Sequence, residues 1–433
     1  MLIEEVRRRT RRRRLLSVGA VVLVAGLGGG IYAGVSGPPN SGSVNRTSPP
    51  SPRGAGVSTT RANGSFAAAA GISGFRGAGA ISSSELWAYG QQPGLIVSTN
   101  GGASWRTQSF EGSPSWFDGL FGLGANDLWF ATSEFSAPEV VTPALQAREG
   151  GMDRAELIGR STDAGKVWRV VAIPMYEMNT ITLDFPNAVD GFAITGSNLF
   201  GDAGVPSQTG NVLFRTTDGG SAWTRVASVP VQGPVEFVTP LDGWALPLVP
   251  QGIGKLNLMH TINGGLTWQP VNPAPRGETP HFAAPPHFFN AADGVAAATT
   301  SRSGAATSSY VVYATSDGGV TWSARPIAHL DGYQPQLSPI SPTTWVVATT
   351  TRIYRTTDGG TSWSSTASEL PRSSLVEAVV FSSSSAGIAM ISNPGQIFRT
   401  TNGGRTWEPV SAKALAQGKR STVINDFPTS PSL

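Results

Sequence analysis

From about Gly71 onward, apolar residues come in short runs separated by turns rich in Gly, Asp and Ser, and the runs recur in groups of four. An upstream run ends on an aromatic residue, as at Phe185, Phe237, Phe288 and Phe381. About six residues on, a small turn leads into a second run: Leu86-Trp87-Ala88, Leu128-Trp129-Phe130, Gly191-Phe192-Ala193, Gly243-Trp244-Ala245, Gly294-Val295-Ala296, Thr344-Trp345-Val346 and Gly387-Ile388-Ala389. A third run follows, as in Val212–Arg215, Val311–Ala314, Arg352–Arg355 and Gln396–Arg399, and a Trp opens the fourth. Short apolar runs bounded by Gly, Asn, Asp and Ser predict strands and tight hairpins.

Between the third and fourth runs one stretch is written seven times, most clearly as Thr356-Thr357-Asp358-Gly359-Gly360-Thr361-Ser362-Trp363. All copies end in Trp, at 105, 168, 223, 268, 322, 363 and 407, with intervals of 63, 55, 45, 54, 41 and 44 residues. Asp-Gly or Asn-Gly between two apolar runs is a hairpin signal, because Gly tolerates positive φ and Asp or Asn bonds the turn's own backbone. The acidic or amide position is held by Asn100, Asp163, Asp218, Asn263, Asp317, Asp358 and Asn402. Trp105, Trp168, Trp223, Trp268, Trp322, Trp363 and Trp407 each bring a large apolar face to bury.

The stretch resembles the Asp box, or bacterial neuraminidase repeat, of pattern S/T-x-D-x-G-x-S/T-W. Asn100, Asn263 and Asn402 depart from the Asp, and Val167 and Ala222 from the late hydroxyl residue. Repetition at this period marks a repeat architecture. Four strands per unit and seven units predict an all-β fold, a seven-bladed β-propeller of four-stranded blades with Asp-box hairpins over residues 71–427. Copies of the form R-T-T-D-G-G-x-x-W, as in Arg215–Trp223, Arg355–Trp363 and Arg399–Trp407, are similar to the photosystem II stability/assembly factor group. Sortilin-type receptors, sialidases and xyloglucan-cleaving hydrolases share such repeats more distantly. A sialidase carries an arginine triad, a Tyr–Glu pair and an Arg-Ile-Pro motif; Phe75-Arg76-Gly77 lacks the Ile-Pro, which argues against that activity. The resemblance also implies that the Asp boxes lie at the blade periphery and serve structure rather than catalysis.

Charge is unevenly placed. Residues 1–14 hold seven Arg and two Glu, and Leu15 to Val35 follow without a charge. Those 21 residues suffice to cross the ~30 Å of a bilayer's hydrocarbon as a helix. Arg on one flank predicts a cytoplasmic N-terminus and an extracytoplasmic propeller. A cleaved signal peptide is the alternative, and Arg12-Arg13-Arg14-Leu15-Leu16 also resembles a twin-arginine export signal. Without residues 1–14 the chain's 31 basic and 28 acidic residues become 24 and 26, so the basic balance belongs to the anchor and gives no support to nucleic-acid binding. There is no Cys, hence no disulfide and no thiolate chemistry. Residues 36–70, rich in Pro, Gly, Ser and Ala, read as a flexible linker.

Insertions at 137–157, 197–210 and 302–309 set the blades apart, and such loops are where binding usually resides. Ala412–Gly418 reads as a helical turn, Ser421–Phe427 as a strand that closes the ring, and 428–433 as a disordered tail.

For chemistry, one repeat position stands out. Asp184, Glu236 and His287 directly precede the upstream Phe in three consecutive units. On an innermost strand they would gather on one side of the channel, where two carboxylates and a His suit a cation, a sugar, a basic peptide or acid–base work. Solvated strand residues are the plainer reading. Asp190, Asp242 and Asp293 mark a second repeated turn and read as structural. His281 and His287 lack a metal-site pattern, and neither G-x-S-x-G nor G-x-x-x-x-G-K-[ST] occurs. No cofactor and no metal is expected.

The leading expectation is a non-catalytic, membrane-anchored module that binds a protein partner or assembles a complex. The rival is a cell-envelope glycan binder or glycoside hydrolase. Inverting glycosidases hold two carboxyls about 6.5–9.5 Å apart, a range suited to Asp184 and Glu236 on neighbouring blades, with Trp116, Tyr176 and Tyr333 as candidates for sugar stacking.

Overall fold

The computed structural model describes the chain from Ser73 to Asn425, apart from residues 81–83, 93–94, 109–118, 124–125, 133–155, 164, 174–178, 198–210, 249–256, 276–277, 303–308, 331–334, 371–375, 392–395, 411–414 and 418–421. The expected anchor, linker and tail lie outside these residues, as do Trp116, Tyr176, Tyr333 and nearly all of the three insertions. No helix of the described residues is long and apolar enough to cross a membrane.

Seven antiparallel sheets follow one another along the chain, each with four consecutive strands. Blade 1 is built from Ser73–Ala80, Leu86–Gln92, Leu95–Ser98 and Trp105–Gln108. Blade 2 uses Gly119–Gly122, Leu128–Thr132, Glu156–Ser161 and Val167–Ile173, and blade 3 uses Asn179–Asp184, Gly191–Ser197, Asn211–Thr216 and Thr224–Val229. Val231–Phe237, Gly243–Pro247, Leu258–Thr261 and Gln269–Val271 form blade 4. In blade 5 the first strand is split into Glu278–Phe282 and His287–Phe288, and Gly294–Arg302, Ser309–Thr315 and Ser323–Pro326 complete it. Blades 6 and 7 begin at Gln336–Pro339 and Val376–Phe381 and end at Ser364–Ala367 and Glu408–Pro409.

Seven apolar clusters fill the seven spaces between neighbouring blades. The last joins blade 7 (Val380, Ile388, Met390) to blade 1 (Ala80, Leu86, Trp105), so the ring is closed by packing. The Asp-box Trp of each blade turns back onto the preceding one: Trp168 packs with Trp87 and Leu95, and Trp268 with Phe192 and Ile194.

Local sequence explains how the blades hold their shape. The upstream Phe lies flat over a Gly of the second strand; a Cβ on Gly191 would stand 2.2 Å from the Phe185 ring, and one on Gly243 2.6 Å from that of Phe237. Blade 6 inverts the pair: Pro339 sits opposite Trp345, where Phe237 sits opposite Gly243. Trp345 therefore occupies the Gly place, one residue out of step with Trp244, and its ring enters the cluster between blades 5 and 6. A one-residue offset along a strand exchanges its faces, which corrects the alignment of Thr344-Trp345-Val346 with Gly243-Trp244-Ala245.

The C-terminal stretch also differs from expectation. Leu415–Gln417 is a strand rather than a helical turn, and it pairs in parallel with Trp105–Gln108 at the outer edge of blade 1. Thr422–Asn425 pairs in parallel with Val167–Ile173 at the outer edge of blade 2. Each is a fifth strand on a blade that is already complete.

Connectivity gives the ring two distinct ends. The turns between first and second strands and the Asp boxes share one end. At the opposite end second strands finish and third strands begin, at Thr132 and Glu156, Ser197 and Asn211, Pro247 and Leu258, and Arg302 and Ser309.

Candidate functional site

Every Asp box is built on the same bonds. In blade 3 the Thr216 hydroxyl donates to Asp218 Oδ1 (2.7 Å) and accepts from the Gly220 N–H (2.8 Å), while Asp218 Oδ1 accepts from the Ala222 N–H (3.0 Å). Gly219 and Gly220 sit at φ of 74° and 98°, the left-handed region in which only Gly is at ease. Where Asn stands for Asp, the late hydroxyl accepts: Asn263 Nδ2 donates to Thr267 (2.8 Å). Where Asp stands, the hydroxyl donates: Thr321 and Ser362 reach Asp317 and Asp358 at 2.6 Å.

Those donors tune the carboxylates. The hydroxyl and N–H of Thr321, then the Thr315 hydroxyl, pull Asp317 down to about 2 from the usual 3.8. Ser362 and Thr356 do the same for Asp358, also to about 2. Asp163 and Asp218 stand in the two boxes without a late hydroxyl residue. There desolvation pushes the carboxyl up but is outweighed by N–H groups and the first hydroxyl, and both stay below the ordinary value.

Arginines at the end of the third strand fasten one blade's box to its neighbour. Arg160 of blade 2 donates to the carbonyls of Asp218 and Ala188 in blade 3, both at 3.3 Å. Arg355 of blade 6 reaches Gly403 O in blade 7 (3.0 Å), and Arg399 of blade 7 reaches Gly101 O in blade 1 (2.6 Å), across the closure of the ring.

Asp184, Glu236 and His287 occupy one register position, opposite Phe192, Trp244 and Val295. All three lie at the box end, opposite the end where second strands pass to third strands. Asp184 is buried, and its Oδ2 accepts the Phe237 N–H of the next blade at 2.6 Å. Glu236 Oε1 accepts the Phe288 N–H, again one blade on and at 2.6 Å. Ser338, the counterpart in blade 6, accepts the Phe381 N–H of blade 7 at 2.8 Å. The series skips His287 for a plain reason: its counterpart donor in blade 6 is Pro339, which has no N–H. His287 instead turns back, with Nδ1 3.4 Å from Glu236 Oε1.

The geometry thus brings Glu236 and His287 together and fixes Asp184 and Glu236 to separate backbone donors. Among the described residues no cluster of His, Asp and Glu is arranged to hold a metal ion. Asp190 pairs with Arg215 (3.0 Å) and Asp242 with His260 (2.9 Å), whose ring stacks on Trp244 at 4.1 Å. Asp293 accepts from Asn290 within its own turn (2.7 Å). Sequence reasoning missed the role of Ser338, because a lone Ser in a strand carries no signal until Phe381 is seen across the blade boundary.

The model of a family described as photosynthesis system II assembly factor YCF48 matches residues 294–425, from the second strand of blade 5 to the last C-terminal strand. Over those blades the chain is similar to the YCF48 family. No curated protein matches it. Among solved structures, the GH74 xyloglucanase from Xanthomonas campestris superimposes with a TM-score of 0.50 at 13% identity, covering 76% of this chain and 52% of the enzyme. The chain therefore spans about half the length of that enzyme. YCF48 from Cyanidioschyzon merolae gives a TM-score of 0.41 at 14% identity over 68% of this chain and 85% of its own. A YCF48 structure bound to D1 peptide gives 0.37 at 12% identity, covering 67% and 79% respectively. At such identities the xyloglucanase likeness is one of fold.

Proposed function

We propose that this chain is a non-catalytic propeller that binds a protein partner or assembles a complex, carried outside the cytoplasm on the apolar segment Leu15–Val35. One observation carries the reading. Asp184 and Glu236, the carboxylates best placed by sequence for glycoside chemistry, each accept a neighbouring blade's backbone N–H at 2.6 Å. A carboxylate used in this way holds the ring together; freeing it for acid–base work would leave a buried donor unpaired, at about 1–3 kcal/mol. The match of residues 294–425 to the assembly-factor family agrees with a binding role. Fold by itself does not separate binding from hydrolysis.

The test is turnover. Full-length protein in detergent should release no reducing ends from xyloglucan or envelope glycans. Release that disappears in Asp184→Asn or Glu236→Gln, with folding intact, would overturn the proposal in favour of a glycoside hydrolase.

A further inference from the structure

Among the described residues, five large hydrophobic side chains are exposed: Val189 (53%), Leu241 (55%), Ile262 (73%), Leu266 (61%) and Val320 (81%). All five lie at the box end, and all fall on the consecutive blades 3, 4 and 5. Blade 4 contributes three. Ile262 and Leu266 flank the two glycines of its box, and Leu241 tips the adjoining turn, whose carbonyl accepts the Gly264 N–H at 2.9 Å.

Neither the fold nor the Asp box requires apolar residues there. The position of Ile262 is Thr99, Thr162, Thr217, Ser316, Thr357 or Thr401 in the other blades. The place of Leu241 is taken by Ser84, Thr343 and Ser385 in blades 1, 6 and 7, whose backbones make the same bond. The boxes of blades 4 and 5 each sit against the blade before. A Cβ on Gly264 of the blade 4 box would lie 3.8 Å from Arg215 of blade 3, and one on Gly319 of the blade 5 box would meet Trp244 of blade 4.

Carboxylates border the patch, while the exposed Arg225 of blade 3 bonds Ser228 of its own strand. The tip of blade 4 carries Pro240, Leu241, Ile262, Asn263 and Leu266, and Asp242 beside it is paired with His260. On one side stands the exposed Asp218, on the other Asp293 and the exposed Asp317. Arg215 is already paired with Asp190, and Arg160 is bound to backbone carbonyls. An uncharged apolar centre loses little on leaving water, and flanking carboxylates select the partner by charge.

We propose that the box end of blades 3–5 docks an apolar segment of a partner protein flanked by Lys or Arg. This rests on the protein-interaction reading and assigns it a surface. A bilayer with anionic lipid is disfavoured by the same carboxylates.

The test uses full-length protein in detergent and a fluorescein-labelled peptide with a Leu/Ala centre and Lys pairs at both ends. A Glu-flanked peptide is the control. The Lys-flanked peptide should bind, and binding should weaken as salt rises. The triple variant Leu241→Ser, Ile262→Thr, Leu266→Ser places Ser or Thr where other blades already carry them, so its melting should be unchanged. Affinity should fall by about tenfold or more. Asp218→Asn with Asp317→Asn keeps the box, since Asn already serves at 100, 263 and 402, and should weaken binding and flatten its salt dependence. Equal binding of the Glu-flanked peptide, no binding, or undiminished binding by the folded triple variant each overturns the assignment. So does loss of phosphatidylcholine/phosphatidylglycerol vesicle binding, or of self-association, in that variant. If cells yield a defined protein partner whose capture the triple variant does not alter, the protein-interaction reading stands and this surface falls.

Discussion

At the scale of single residues, the ring depends on complementary pairs. Phe185 needs Gly191 beneath it, because a methyl group there would stand 2.2 Å from the ring. Gly191→Ala should cost about 1–3 kcal/mol of stability, as overpacking does, read as a lower denaturant midpoint. Asp184→Ala should cost a similar amount by leaving the Phe237 N–H without its acceptor. Asp184→Asn keeps an oxygen there and should cost less, so the ranking of the two variants separates a lost hydrogen bond from a lost charge. The boxes predict a pH dependence. Asp317 and Asp358 have folded values of about 2 against an ordinary 3.8. A depressed carboxyl stabilises above its unfolded value, and that contribution is lost as pH falls from about 4 towards about 2. Acid titration monitored by tryptophan fluorescence should show this window. Asp317→Asn with Asp358→Asn should remove its share of the slope by lowering stability near neutrality towards its acid value, with little change at about pH 2.

At the scale of strands and turns, each blade is complete before the C-terminal strands arrive. Ending the chain at Val410 should therefore leave the propeller folded, while hydrogen exchange quickens at Trp105–Gln108 and Val167–Ile173, the two edges that lose a partner. Collapse of the whole ring on truncation would show that these strands hold the closure, against the apolar cluster between blades 7 and 1 and the Arg399–Gly101 bond. Much of this level was legible in the sequence. Asp-Gly-Gly turns ending in Trp and the four-run rhythm define the blades, because hairpin chemistry is local. Blade 6 misled, since Trp345 attracts alignment with Trp244 while the Pro339 opposite it moves the bulk to the other strand. Only strand pairing reveals that exchange. The parallel pairing of Thr422–Asn425 was equally hidden, because its partner lies some 250 residues upstream.

At the scale of the whole molecule, the row Asp184, Glu236 and His287 was visible as a polar break in an apolar position, but its bonding was not. Each carboxylate answers to a backbone N–H of the next blade. That dependence belongs to the ring rather than to any one repeat. The ring also has two ends, one where second strands pass to third strands and one with the boxes and the apolar tip of blade 4. For the expected anchor, residues 1–35 fused ahead of a soluble reporter should carry it into the membrane fraction, resistant to alkaline carbonate; a fully soluble reporter would count against an uncleaved span.

The most direct measurement of the central claim is crosslinking in intact cells that carry the full-length chain, followed by detergent extraction and identification of what co-purifies. The account predicts a defined membrane or secreted protein, recovered in stoichiometric amount and unaffected by Asp184→Asn. Recovery of polysaccharide or peptidoglycan fragments with no protein partner would contradict it.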